Sequence, residues 1–206
     1  MRFLTGFFAG LMALVYASVA AAAPAPESKP DLQRGQQIAT TVCAACHGAN
    51  GVSPSPAQPH LAGQNAGYIA KQLAAFKSGT RVNPIMTAMA ATLTPEDMQS
   101  VGEYFEMQKP VHSVARDKAL ATSGQKIWRA GNKQLGVPAC AGCHGAGGHG
   151  IPAQYPRLAG QYPDLLLGWL KAYANGTRSN EVMGPIAARL AEPDMKAVVE
   201  YISGLQ

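Results

Sequence analysis

The chain has 206 residues, enough for two small domains, and its 47% hydrophobic content excludes a protein that is disordered throughout. Only 14% of residues are charged, the formal net charge is +5, and no run of Lys or Arg occurs, which leaves nucleic-acid binding without support. Aromatic residues make up 7%, so two domains of about ninety residues each would have thin cores from side chains alone.

In chain order, Arg2, the apolar stretch Phe3 to Val19 and the small residues Ala20 to Ala23 before Pro24 predict a secretory signal peptide at 1–23. Cleavage between Ala22 and Ala25 would deliver the mature chain to the periplasm. The alternative is an uncleaved anchor, because Phe3 to Ala23 is long enough to span a bilayer. A short helix, Asp31 to Ala39, leads to Cys43. Gly48 to Gln64 and Gly79 to Ala88, rich in Gly, Pro and Asn, read as loops. Between them Tyr68, Ile69, Gln72, Leu73 and Phe76 have helical spacing. Thr94-Pro95-Glu96-Asp97 opens another helix, with Thr as N-cap, Pro at N1 and an acid at N3; its apolar face is Met98, Val101, Tyr104 and Phe105. No alternating β-branched run predicts a strand, so the expected class is all-α.

The same order then repeats. Cys43, Cys46 and His47 recur as Cys140, Cys143 and His144, and at that offset residues 43–106 match 140–203 at 27 of 64 positions. Pro59-x-Leu61-Ala62-Gly63-Gln64 meets Pro156-x-Leu158-Ala159-Gly160-Gln161, Met86 meets Met183, and Tyr104 meets Tyr201. Eight extra residues enter the second copy within Arg129 to Ala139. The pattern predicts a duplicated domain, with an N-terminal unit at 24–109, a linker at 110–123 around Pro110, and a C-terminal unit at 124–206.

All four cysteines lie in two Cys-x-x-Cys-His motifs. A zinc site would bring two such knuckles close in sequence, and a thioredoxin-like dithiol would sit in a βαβ context; neither condition is met. Covalent haem attachment requires the following His, present in both copies. Cysteines three apart face one side of a helical turn, so both sulfurs reach the vinyl groups of one haem while the next residue turns its imidazole to the iron. The prediction is two haem c groups, bound through thioethers at Cys43 and Cys46 and at Cys140 and Cys143. A covalently tethered apolar ring would also fill each thin core.

The second iron ligand decides between a carrier and a catalyst. Met89 and Met107 have no counterpart in the second copy. Met98 and Met195 correspond, but lie on the apolar face of a capped helix and read as core. Met86 and Met183 correspond and lie in loops, so the predicted axial ligand pairs are His47 with Met86 and His144 with Met183. His60, His112 and His149 are not shared between copies, which argues against bis-His ligation. A thioether favours Fe(II) and raises the potential, and two filled axial positions exclude oxygen and peroxide. Pro59 and Pro156, twelve residues after each His, are expected to supply carbonyls that orient the imidazoles. Arg81 and Arg178 are candidate partners of haem propionates, against the plainer reading of solvated surface residues.

These residues together resemble class I c-type cytochromes, and two such units in tandem resemble the cytochrome c4 family of di-haem electron carriers. The resemblance covers nearly all of the mature chain. It implies two helical domains related by a pseudo-twofold axis, propionates facing across the interface, and Gly35 and Gly124 packed against the helices of Tyr104 and Tyr201. The implied role is a periplasmic carrier, not an enzyme, between a quinol-oxidising cytochrome bc complex and a terminal haem-copper oxidase; the implied state is a monomer, with loose membrane association left open. Two alternatives are a di-haem subunit of a periplasmic dehydrogenase such as a flavocytochrome c, and a di-haem peroxidase, which would need an open iron. Charge adds a separate expectation. Pro24 to His112 carries six Lys/Arg and six Asp/Glu, whereas Ser113 to Gln206 carries ten against six. The C-terminal half is expected to meet the more acidic partner, with Lys126, Lys133 and Lys171 contributing.

Overall fold

The computed structural model describes residues 29–206; the predicted signal peptide lies outside them. Asp31 starts the first helix by accepting the N–H groups of Gln33 and Arg34. α1 (Leu32–Ile38) runs through a π-helical turn (Ala39–Cys43) into α2 (Ala44–His47). α3 (Ala66–Ser78), α4 (Pro84–Ala90) and α5 (Pro95–Glu106) complete the first unit. The second consists of α6 (Lys118–Ala130), α7 (Ala141–His144), α8 (Pro163–Ala174), α9 (Met183–Ala187) and α10 (Glu192–Ser203). Among the described residues there is no sheet, only the isolated bridges Asn132–Val137 and Ile151–Tyr155, as an all-α reading requires.

In each unit the first and last helices cross at a glycine. A Cβ at Gly35 would overlap the Ser100 carbonyl oxygen and stand 3.2 Å from the Cβ of Tyr104. At Gly124 it would overlap the Ala197 carbonyl and stand 3.0 Å from the Cβ of Tyr201. Only a missing side chain lets the two backbones approach this closely. Around these crossings lie two separate cores. Ile38, Leu73, Phe76, Met98, Val101 and Phe105 are buried in the first. Trp128, Leu166, Met195, Val198 and Ile202 are buried in the second. Met98 and Met195 are therefore core residues, as their helix positions predict.

Two local expectations need correction. The segments around Met86 and Met183 are helical rather than loops. Asn83 accepts the Met86 N–H at 3.0 Å with Pro84 in the first turn, and Asn180 accepts the N–H of Met183 at 2.8 Å. In α4 this is an Asx cap, which starts a helix even where Gly and Pro composition suggests a turn; α9 has Val182 at its N-cap and no side-chain cap. The second correction concerns Asp194, which matches Asp97 at the repeat offset and whose place in the sequence predicts the same helix-capping role. Thr94 and Asp97 form a reciprocal capping box, and Asp97 also holds Arg34 at 2.8 Å. In α10 the N-cap is Ala191 and no side chain caps the helix, so Asp194 does not repeat the role of Asp97.

The connector between units is extended, and α6 begins inside the predicted linker, capped by Asp117. It is held along its length. Pro110 fills the space beside Gly63, the Val111 carbonyl lies against Gly160, and Ala115 covers Gly204. The N–H groups of Arg116 and Asp117 both donate to the buried Glu200 carboxylate.

The face between the units is a reciprocal latch. The Gln64 side chain donates to the Arg157 carbonyl at 2.9 Å and accepts the Arg157 N–H at 2.8 Å. Its repeat partner Gln161 does the same to the backbone of His60, at 3.1 Å for both bonds. The neighbouring pair, Asn65 and Tyr162, adds bonds to the carbonyls of Tyr155 and Ser53, at 2.7 and 2.9 Å. Gln64 and Gln161 thus make corresponding contacts in both directions, which is a pseudo-twofold relation. No helix among the described residues is long and apolar enough to cross a membrane.

Candidate haem sites

Each Cys-x-x-Cys-His motif folds as a single helical turn that ends in His. Cys43 closes the π-helical turn and Cys46 lies in α2; Cys140 immediately precedes α7 and Cys143 lies within it. Gly48 and Gly145 follow at φ of 75° and 78°, a conformation that frees the chain to leave the helix at once. Burial pushes the thiols of Cys43 and Cys140 up to about 11.

His47 and His144 are each 7% exposed. The Nδ1 of His47 lies 2.9 Å from the Pro59 carbonyl, and that of His144 lies 3.1 Å from the Pro156 carbonyl. A carbonyl only accepts, so Nδ1 carries the proton and the lone pair is left on Nε2. Burial lowers both histidines below the usual imidazole range, with the carbonyl bond acting in the opposite sense. A neutral imidazole with its Nε2 lone pair free is the form that binds a metal.

The other residues singled out in the sequence divide cleanly. Met86 is half-buried and packs on the first core together with Cys43; Met183 is half-buried at the start of α9. Met89 and Met107 are exposed. His60 stacks on Tyr162 with ring centroids 4.3 Å apart and accepts the Ser53 N–H. His149 lies 2.6 Å from Arg157 Nη1. Neither of these histidines belongs to a Cys-x-x-Cys-His turn.

Arg81 and Arg178 are not solvated surface residues. Both turn into the face between the units and flank Trp169, at 5.7 and 5.0 Å from its ring centroid. Arg81 donates to Gln72 at 2.7 Å, while Arg178 donates to Tyr68 at 3.2 Å. Burial, followed by the like charge of Arg178, pushes Arg81 down to about 10. Neither guanidinium has a carboxylate partner among the described residues. Two half-buried cations at one face, with no carboxylate beside them, leave room for an anionic group there. With two thiols on each turn, an oriented imidazole beside them and paired cations at the face, the residues fit a haem in each unit.

Two features escaped the sequence reading. The Gln64–Gln161 latch was visible only as an identity within the repeat, with nothing to say that these side chains cross between units. Trp128 is fully buried and donates to the Ala146 carbonyl at 3.0 Å. Its counterpart in the first unit is Ala39, so the repeat comparison gave no hint of it.

The sequence profile of the cytochrome c family matches this chain twice, at residues 32–108 and 121–206. Cytochrome c4 of Thiocapsa roseopersicina is 42% identical over 180 residues, covering 85% of this chain and 93% of the relative. The crystal structure of reduced recombinant cytochrome c4 from Pseudomonas stutzeri superposes with a TM-score of 0.81 at 37% identity, covering 86% of this chain and all of that one. This chain belongs to the cytochrome c4 family. Its cofactors are accordingly two covalently bound haems c, one for each Cys-x-x-Cys-His turn, and it is a c-type electron-transfer protein with two tandem helical domains. A third relative, 38% identical over 96% of this chain and 93% of its own length, is named a thiosulfate dehydrogenase electron acceptor in Stutzerimonas stutzeri.

Proposed function

We propose that this cytochrome c4 family member is a periplasmic one-electron carrier in which both irons have a His and a Met ligand. His47 and Met86 would hold one iron, His144 and Met183 the other. Cys43, Cys46, Cys140 and Cys143 would supply the thioethers. The single observation that carries this reading is the repeated imidazole orientation by Pro59 and Pro156, with a half-buried Met in register after each. The haems supply the Fe(II)/Fe(III) couple. The chain's own residues hold the imidazoles neutral and aimed through Pro59 and Pro156, and Met86 and Met183 would supply a thioether as second ligand, so little would rearrange when an electron arrives. Arg81 and Arg178 would compensate the propionates at the domain face. The proposed processing and domain limits are a signal peptide at 1–23, a first unit at 24–109, and a second unit whose predicted start at 124 moves back to Lys118, the first residue of α6, with an extended connector between them.

The proposed donor is a quinol-oxidising bc complex and the proposed acceptor a haem-copper oxidase. A second reading is favoured by the relative named as an electron acceptor of thiosulfate dehydrogenase: this chain would then take electrons from such a periplasmic dehydrogenase. In either role it passes electrons without transforming a substrate. The test is the visible spectrum of the purified holoprotein, oxidised and reduced, with and without carbon monoxide. Two low-spin haems indifferent to carbon monoxide are expected. A high-spin component, or carbon monoxide binding at either iron, would show an open site and refute the His/Met assignment there.

A further inference from the structure

The two units differ most in the eight residues that only the second contains. In the first, the chain passes from α1 through the π-helical turn directly to Cys43, and from Gly35 to Ala70 it carries no Lys, Arg, Asp or Glu. In the second, the chain leaves α6 at Ala130 and makes a closed turn before Cys140. Asn132 and Val137 exchange both backbone bonds, at 2.8 and 2.9 Å, and Gly131 packs against the backbone of Val137 to Ala139, next to Cys140. Arg189, just past the end of α9, donates to the Gly136 carbonyl at 2.9 Å. The turn therefore ties the backbone just before Cys140 to Arg189, just past the end of the helix that starts with Met183.

This bridge is cationic. Arg129, Lys133 and Arg189 are all exposed on it, and none has a carboxylate partner among the described residues. From Lys118 to Pro163 the chain holds five Lys or Arg and no Asp or Glu. Lys171 does not belong to this patch in charge terms, because Glu192 holds it at 3.0 Å and also binds Lys196. Two exposed cations, Arg129 and Lys133, thus flank the turn before Cys140, with Arg189 bonded to it, while Gly35 to Ala70 around the first Cys-x-x-Cys-His turn holds no charged residue.

We infer that the Asn132–Val137 turn, with Arg129, Lys133 and Arg189, is a docking surface for a redox protein whose own electron-exchange face is acidic. The inference rests on the carrier reading above and adds which haem meets which class of partner. A cationic rim beside the exchange site lengthens productive encounters with an acidic face and rejects cationic ones.

The experiment uses the oxidised holoprotein and a strongly acidic one-electron donor, the soluble ferrous haem domain of a b5-type cytochrome. One electron leaves its Fe(II) and reduces one Fe(III) of this chain, and no atoms are exchanged. Stopped-flow rates are compared for the wild type, for Arg129→Glu with Lys133→Glu, and for Lys71→Glu with Lys109→Glu. The last pair changes net charge equally on exposed positions of the first unit. At low ionic strength the Arg129/Lys133 variant is expected to be about tenfold slower than wild type, the Lys71/Lys109 variant less than twofold, and all three to converge at high salt. Equal slowing of both variants, or no slowing in the Arg129/Lys133 variant, overturns the inference. Spectra indifferent to carbon monoxide in all three proteins leave the carrier reading standing in that event.

Discussion

Replacing Gln64 with Ala removes two bonds to the backbone of the other unit and leaves the Arg157 N–H and carbonyl without partners at a partly buried face. Each such bond contributes about 1 kcal/mol net, so the expected loss is about 2 kcal/mol, or about thirtyfold in the equilibrium between latched and open units. That cost has a specific destination. The face between units is lost when the less stable unit unfolds, so the whole penalty falls on the first unfolding event and none on the second. Guanidinium titration of the holoprotein, followed by far-UV circular dichroism and by the Soret bands, reads both events. The expected result is a lower midpoint for the first event at unchanged slope, and an unchanged second event. Gln161→Ala, which removes the reciprocal pair of bonds to His60, is expected to match it in size. A first midpoint unmoved within about 0.5 kcal/mol, or a shift confined to the second event, would refute the latch as the element joining the units.

Met86→Ala and Met183→Ala are each expected to leave one low-spin haem and to open the other to carbon monoxide, read as one equivalent bound in a titration. Gly124→Ala forces a methyl group into the Ala197 carbonyl, and the overpacking is expected to cost about 3 kcal/mol or more, visible as a lowered midpoint in thermal unfolding. The hydrogen bond from Arg34 holds the Asp97 carboxyl below the usual carboxylate range, so its stabilisation is complete above the unfolded-state value and fades as pH falls through the lower folded-state value. Asp97→Asn is expected to destabilise the first unit at neutral pH and to remove this part of its acid sensitivity, measured by denaturant midpoints between pH 7 and pH 3.

The haem turns were legible because their chemistry is local: Cys-x-x-Cys-His fixes two sulfurs and an imidazole on one turn wherever it occurs. Selecting Met86 and Met183 depended on the duplication, which separated shared methionines from incidental ones. The helical form of their segments was not legible, since α4 and α9 have seven and five residues, too short for a periodic signal. Asp194 misled for a related reason. The acid was kept between copies, but the Thr that completes the capping box was replaced by Ala191, and a cap needs both members. The positions of Arg81 and Arg178 depend on how the units meet, and no pattern within one unit encodes that. The same holds for Gln64, whose neighbours in sequence look like an ordinary loop.

The latch recognises main-chain groups only. Gln64 and Gln161 each bind the amide and carbonyl of the residue after the orienting proline, whatever side chain that residue carries. Those two residues are His60 and Arg157, one neutral and stacked on an aromatic ring, the other a cation with two buried nitrogens lacking partners. A joint of this kind is what a symmetric homodimer would use, and fusion into one polypeptide preserves it while releasing each half from identity. Each half then diverges one side chain at a time without loosening the joint, and so a duplicated carrier acquires two unlike ends.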